Sequence, residues 1–229
     1  MQIPSLIIEI TRRCNMSCDH CLRGCQQKLD INHAYIDRVM SIAEYIGTIT
    51  ITGGEPSLNV TAIEYILSSA ELHGVEIGSF YIATNGVNIK AEFVIACLKW
   101  FAYCDEKEMC QVHVSNDAYH ANENSYNTEL LDGLSFFDRK FSNEGDYYSE
   151  DIINEGNANE FGIGACENKD YGFDIDDDYI NEGDIYLNAK GDIISGCNWS
   201  YENQEDHKVC RCEDLSLEAL NAYNDTLEA

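Results

Sequence analysis

The sequence is poor in positive charge: 14 Lys and Arg stand against 41 Asp and Glu among 229 residues, a formal charge of −27. Such a surface repels phosphate backbones, which are bound chiefly through Lys and Arg, and gains nothing from anionic lipid. Long apolar runs are missing too. Ile3 to Ile10 is a short one broken by Glu9, with neither the cationic start nor the small-residue cleavage site of a targeting signal. No stretch reaches the roughly 18 residues of a membrane span. The expectation is a cytoplasmic chain with no nucleic-acid or membrane partner.

What is present is enough apolar material for one sizeable core, 45% of residues including 14 Tyr and 8 Phe. Eleven cysteines without a secretory signal point to metal or catalytic chemistry rather than to disulfides. The charge is unevenly placed. Residues 1–100 hold ten acids and seven bases, whereas fourteen acids and the single base Lys169 lie between Ser142 and Asp184. That segment reads as a solvated surface or as a docking face for a basic partner or peptide.

Hydrophobic periodicity alternates between strand and helix. Leu6 to Ile10, Thr48 to Thr52, Ile77 to Ala83 and Gln111 to Ser115 read as strands. Between them, helices carry Ile36, Val39, Met40, Ala43 and Ile46 behind a cap at Asn32, then Val60, Ile63, Leu67 and Ala70, then Phe93, Cys97, Trp100 and Cys104. This order predicts βαβ units and a parallel sheet, whose ligands gather at the C-terminal strand ends. Past residue 120 the pattern weakens, with Ile152-Ile153 the next expected strand. Asp184–Asn188 and Asp192–Gly196 flank Ala189-Lys190-Gly191 as a hairpin, and Leu217, Leu220, Tyr223 and Leu227 predict a closing helix.

Cys14, Cys18 and Cys21 form C-x3-C-x2-C after the first strand. Three thiolates leave one coordination position of a cluster or metal for something else, since a fully ligated site takes four. Cys25 or His20 completing a zinc loop is the alternative. The run Cys14-Asn15-Met16-Ser17-Cys18-Asp19-His20-Cys21, followed by Gly53-Gly54-Glu55-Pro56, resembles the radical S-adenosylmethionine (SAM) enzymes. Ala83-Thr84-Asn85-Gly86 and Ser115-Asn116-Asp117 after the next strands make the combination specific.

The resemblance implies an α/β fold, a partial (β/α)6 TIM-type barrel with a small C-terminal hairpin-plus-helix extension. Residues 1–160 are the expected barrel core and 161–229 the acidic extension. Cys14, Cys18 and Cys21 are implied ligands of a [4Fe-4S] cluster to which SAM binds. One electron then cleaves SAM to a 5′-deoxyadenosyl radical that abstracts hydrogen from substrate. Gly53, Gly54, Glu55, Pro56, Asn85, Ser115 and Asp117 are implied SAM contacts, with His20 where the family commonly has an aromatic residue near adenine. An external electron donor such as flavodoxin or ferredoxin is implied as well. Glu155 to Asn159 weakly resembles a later Gly-x-Ala turn near adenine, and Tyr119 and His120 face either substrate or a helix start.

Cys166, Cys197, Cys210 and Cys212 fall outside the expected barrel. The hairpin leading to Cys197 resembles the SPASM or twitch auxiliary-cluster extensions of radical SAM peptide-modifying enzymes, so these four are expected to hold a second iron–sulfur cluster or zinc, or to pack as reduced thiols. Cys97 and Cys104 are expected in the core. A peptide or protein side chain is the first expected substrate. The sequence starts almost at the first strand, so a peptide-recognition domain is expected from a partner protein. The alternatives are a small metabolite or nucleotide, a glycyl-radical activase, and a non-catalytic iron–sulfur or zinc module.

Overall fold

The computed structural model describes residues 1–87, 89–115, 128–138, 152–176 and 179–227. Four strands, β1 (Gln2–Glu9), β2 (Tyr45–Thr52), β3 (Glu76–Thr84) and β4 (Gln111–Val114), pair in parallel in that order, joined by helices α1 (His33–Met40), α2 (Val60–His73) and α3 (Ala91–Tyr103). Each element forms where the periodicity places it. Asn32 caps α1, its side chain accepting from the Ala34 N–H at 3.0 Å. Gly74, at φ 68°, ends α2 in the left-handed conformation that glycine adopts without strain.

The parallel strands bury both faces, which is why they read as near-continuous apolar runs. Leu6, Ile8, Ile49, Ile51, Phe80 and Ile82 are inaccessible, and Trp100 of α3 packs beside Phe80 while its ring N–H donates to Ile63 O at 3.1 Å. Cys97 and Cys104 lie in this core, and burial pushes the Cys97 thiol up.

The last third of the chain joins the same sheet. β5 (Phe137–Asp138) extends it beyond β4, while β8 (Asp184–Leu187), β9 (Asp192–Ser195) and β10 (Lys208–Arg211) extend it beyond β1, giving the order β10-β9-β8-β1-β2-β3-β4-β5. β8 runs parallel to β1, and β8, β9 and β10 form an antiparallel meander. The expected hairpin is present, its turn held by Asn188 Oδ1, which accepts from the Lys190 and Asp192 N–H groups. The closing helix is α5 (Leu217–Leu227), with Leu220 buried. A separate ribbon pairs β6 (Asp174–Asp176) with β7 (Tyr179–Glu182), and a short helix, α4, covers Gly156–Glu160.

One expectation changes. Ile152-Ile153 forms no strand, only an isolated bridge between Ile153 and Cys166. The described residues show three helical crossovers among β1–β4, with β5 and β8 at the flanks; the fold is α/β with a mostly parallel sheet. Among the described residues no helix is long and apolar enough to cross a membrane.

Candidate active site

Because β1–β4 are parallel, the segments that follow them open on one side of the sheet. Three cross-links fuse the first two. The β1–β2 ladder continues past the strand ends through Ile10 N–H to Thr52 O, Gly54 N–H to Thr11 O and Glu55 N–H to Arg13 O, at 2.8–2.9 Å. This explains the glycine pair from packing alone. A Cβ on Gly53 would stand 2.3 Å from Thr11 O, and one on Gly54 equally close to Arg13 O. The cysteine loop and the Gly-Gly-Glu-Pro turn can lie this close only without those side chains.

Glu55 joins the third segment. Fully buried, its carboxylate accepts from Thr84 Oγ1 at 2.6 Å, the Asn85 N–H at 2.7 Å and the Ser57 N–H at 3.0 Å, the last capping a 3-10 turn begun by Pro56. Asn85 turns back to the cysteines: its Nδ2 donates to Asn15 Oδ1 at 2.8 Å and lies 4.0 Å from Cys14 Sγ. Ser115 is tied to β3 by its N–H to Thr84 O.

The cysteine loop is pinched at its base and clamped at its tip. At the base, Arg12 pairs with residues 27 and 29 through its backbone, and Thr11 Oγ1 donates to Asp30 at 2.6 Å. At the tip, Asn157 of α4 donates its N–H to Cys21 O and its Nδ2 to Cys18 O, both at 2.9 Å. Gly156 lets that approach happen, since its Cβ would stand 2.5 Å from Leu22 O. On the far side Arg23 donates to Trp199 O and Cys197 O at 2.6 Å.

Two cavities meet at the three cysteines. One, of about 170 Å³, is lined by Cys14, Cys18, Cys21, His20, Gly53, Gly54, Glu55, Asn85 and Ser115. The other, of about 320 Å³, is walled by the same three cysteines with Arg12, Met16, Asn157, Phe161 and Tyr201. Burial pushes the Cys14 thiol up, with Glu55 and Cys21 adding to it. Of the residues singled out in the sequence, Pro56 is buried beneath the turn and lines neither cavity. Asn116, Asp117, Tyr119 and His120 lie outside the described residues.

The other four cysteines are not brought together. Cys197 follows the end of β9, whereas the Cys212 N–H bonds Gly191 O just before that strand begins, so the two sit at opposite ends of the meander. Cys210 pairs with Ile193 midway, and Cys166 is exposed beside Ile153. Burial pushes Cys210 up to about 11 and Cys212 up to about 12. None of the eleven cysteines is joined in a disulfide, and among the described residues no three His, Cys, Asp or Glu side chains form a group that would hold a single metal ion.

Composition and spacing missed the buried network beneath the loop. Glu9 and Arg12, both inaccessible, pair at 2.7 Å. Glu9 also accepts from Tyr186 Oη at 2.7 Å, the Ala189 N–H at 3.0 Å and Gln204 Nε2 at 3.1 Å. Arg12 donates further to Gln204 and Gln27 and lies over the Tyr201 ring, 4.3 Å from its centroid. The one signal available was Glu9, a charge interrupting an apolar strand.

No family model matches the chain, and no curated protein matches it in sequence. Solved structures do. The native anSMEcpe structure with bound AdoMet and Kp18Cys peptide aligns over 100% of this chain and 82% of its own at TM-score 0.51 and 11% identity. The hexahistidine-tagged anSMEcpe structure with bound AdoMet gives the same values. Streptococcus suis SuiB bound to precursor peptide SuiA aligns over 50% of this chain and 25% of its own, with TM-score 0.37 and 19% identity, too loosely to carry an argument. At these identities the likeness speaks to architecture alone, and the chain has the fold of the anSMEcpe structures.

Proposed function

We propose that the chain is a radical SAM enzyme acting on a peptide or protein side chain. The observation that carries this is the meeting of Cys14, Cys18 and Cys21 with Gly53, Gly54, Glu55, Asn85 and Ser115 around one cavity at the C-terminal strand ends. The donor set fits a [4Fe-4S] cluster: three soft thiols line one cavity of about 320 Å³. Bound there with SAM, the cluster supplies the electron that cleaves the sulfonium bond.

The chain's own residues hold and orient. Cys14, Cys18 and Cys21 are the proposed iron ligands. Glu55 has three protein donors and keeps acceptor capacity on its carboxylate for the SAM amino group. Asn85 and Ser115 offer polar contacts in the same cavity, and His20 offers a ring to stack on adenine; Asp117 is proposed as a SAM contact from its sequence motif alone. The peptide reading is supported by the acidic composition of residues 142–184 and by the peptide named in the anSMEcpe structure. The separation of Cys166, Cys197, Cys210 and Cys212 favours a second reading, a small metabolite as substrate, because the auxiliary-cluster argument for peptides then loses support.

The test is anaerobic reconstitution followed by incubation with SAM and reductant. About four irons per chain and release of 5′-deoxyadenosine are expected, both lost in Cys14→Ala, Cys18→Ala and Cys21→Ala. Iron binding without SAM cleavage would favour the non-catalytic module. Peptides encoded beside the gene should gain or lose mass; 5′-deoxyadenosine without any peptide mass change favours the metabolite.

A further inference from the structure

Between Cys14 and Cys25 the chain forms neither strand nor helix. Its local order comes from two successive turns, in which the Cys21 N–H donates to Cys18 O and the Gly24 N–H to Cys21 O, each at 3.2 Å. Side chains three residues apart in such turns project the same way, and Cys18 and Cys21 both reach the two cavities that Cys14 lines. Two local hydrogen bonds do little against the entropy lost in ordering a loop.

The same two carbonyls are gripped from far along the chain. Asn157 donates its N–H to Cys21 O and its Nδ2 to Cys18 O, both at 2.9 Å, the second across 139 positions. Each carbonyl therefore accepts twice, filling both of its lone pairs. The spacing between an asparagine's N–H and its own amide is set covalently, so this one residue sets how far apart the two cysteine carbonyls stand. Cys14 is held separately, its N–H donating to Gln26 Oε1 at 3.3 Å. Asn157 is itself anchored. Glu155, 6% exposed, accepts from the Ser200 N–H at 3.1 Å and from Asn203 Nδ2 at 2.9 and 3.1 Å, which ties the start of α4 to the loop between β9 and β10. That loop also touches the cysteine loop directly, the Tyr201 N–H donating to Arg23 O at 3.1 Å.

We propose that Asn157 is a positioning residue that holds Cys18 and Cys21 in the register of a cluster, with Glu155 anchoring it. The inference rests on the radical SAM reading of the three cysteines. The turn that resembles an adenine-side motif in sequence thereby acts on two iron ligands. Partners that orient metal ligands from outside the coordination sphere govern affinity by about 10–100-fold.

The test reconstitutes the parent, Asn157→Asp, Asn154→Asp and Ile46→Val anaerobically with iron and sulfide and follows iron release to a chelator without SAM. Asn157→Asp replaces the donor at Cys18 O by an acceptor of the same shape. Asn154→Asp adds the same charge at an exposed site, and Ile46→Val weakens the buried core near the start of β2, away from the cysteines. Release from Asn157→Asp should be about 10–100-fold faster than from the parent, and the electron paramagnetic resonance signal of its reduced cluster should change shape. The other two variants should keep the parent's signal and its rate per folded molecule. Release no faster than from Ile46→Val, or an unaltered signal, overturns the inference and leaves the radical SAM reading standing. Equal defects in Asn154→Asp and Asn157→Asp also overturn it, since charge alone would then explain the loss. A parent chain that takes up no four-iron cluster overturns both. Should Asn157→Asp fail to fold or to load iron, hydrogen exchange on the iron-free parent decides: an Asn157 amide slowed relative to the unfolded chain supports the clamp, and one that exchanges as fast overturns it.

Discussion

The two sides of β1 are stabilised by different physics. Toward β2 and β3 the interior is apolar, Leu6, Ile8, Ile49, Ile51 and Phe80 all being inaccessible. Toward β8, the end of the strand meets a buried polar seam of Glu9, Arg12, Tyr186, Asn188 and Gln204. Apolar packing tolerates small shifts, whereas a saturated buried carboxylate admits one arrangement of its donors. The cysteine loop starts two residues after Arg12, so the seam and not the apolar core fixes where the thiols stand. The C-terminal meander therefore belongs to the site's foundation.

The largest effect should come from Glu9→Ala, which leaves the Arg12 guanidinium buried without its carboxylate and is expected to cost about 3–5 kcal/mol in urea unfolding. Iron uptake per folded molecule should fall with it. Phe80→Ala, on the apolar side, should cost a similar amount, about 3–5 kcal/mol, but leave iron uptake per folded molecule unchanged. Equal loss of iron in both variants would erase the distinction between the two sides.

Next in size is Tyr186→Phe. Its hydroxyl donates to Glu9 Oε2 at 2.7 Å, and burial holds the phenol protonated, with its pKa well above the ordinary value. Removing one donor from a buried carboxylate should cost about 1.5–3 kcal/mol. A loss below the scatter of the urea midpoint would mean that water replaces the hydroxyl and that the seam is not sealed.

This division also governs what could be read in the sequence. β1–β4 and their helices announced themselves because a parallel sheet repeats a local rule, apolar in runs and amphipathic between. Cys14, Cys18 and Cys21 were visible from their spacing and Glu55 and Asn85 from the resemblance of their motifs to radical SAM enzymes, while periodicity placed each after a strand end. The seam was not visible, since Glu9 and Gln204 are 195 positions apart and neither lies in a local pattern. The hairpin at Ala189-Lys190-Gly191 was legible from its turn, but its parallel docking on β1 was not, because strand order is decided by tertiary contacts. Cys166, Cys197, Cys210 and Cys212 were expected to share a second cluster or zinc or to pack as thiols, and the register sends Cys210 and Cys212 along a meander with Cys197 beyond its opposite end.

A smaller effect is expected at Asp170, which accepts from Tyr223 Oη at 2.5 Å, Ser195 Oγ at 2.6 Å and the Gly172 N–H at 3.0 Å, with His207 Nδ1 at 3.2 Å. Burial opposes its charge, but the hydrogen bonds from Ser195, Tyr223, Gly172 and His207 outweigh it and hold the carboxyl below the usual range. A depressed carboxyl stabilises above its unfolded value, about 3.9, and that contribution is lost as pH falls through the folded value. Asp170→Asn should therefore lose about 1–2 kcal/mol at neutral pH. The gap to the parent should narrow in urea melts as pH falls below about 3.9, and a gap that does not narrow with falling pH would contradict the ionic origin.

The smallest effect tests the comparison from outside. Asp37 on α1 accepts from Ser69 Oγ at 3.0 Å and lies 3.0 Å from His73 Nε2 on α2, with side-chain exposures of 41% for Asp37 and 27% for His73. The hydrogen bonds from His73 and Ser69 lower its pKa. Like Glu9, it is a carboxylate joining separate elements, but here water competes for every bond. Asp37→Ala should cost only about 0.2–1 kcal/mol, and about 1 M salt should shrink the histidine's share, because the Debye length falls to about 3 Å. Glu9→Ala should keep its full cost in the same salt, since the seam excludes the screening ions. If salt weakens both equally, the seam is wet, and burial of Glu9 and Arg12 no longer explains how the cysteine loop is held.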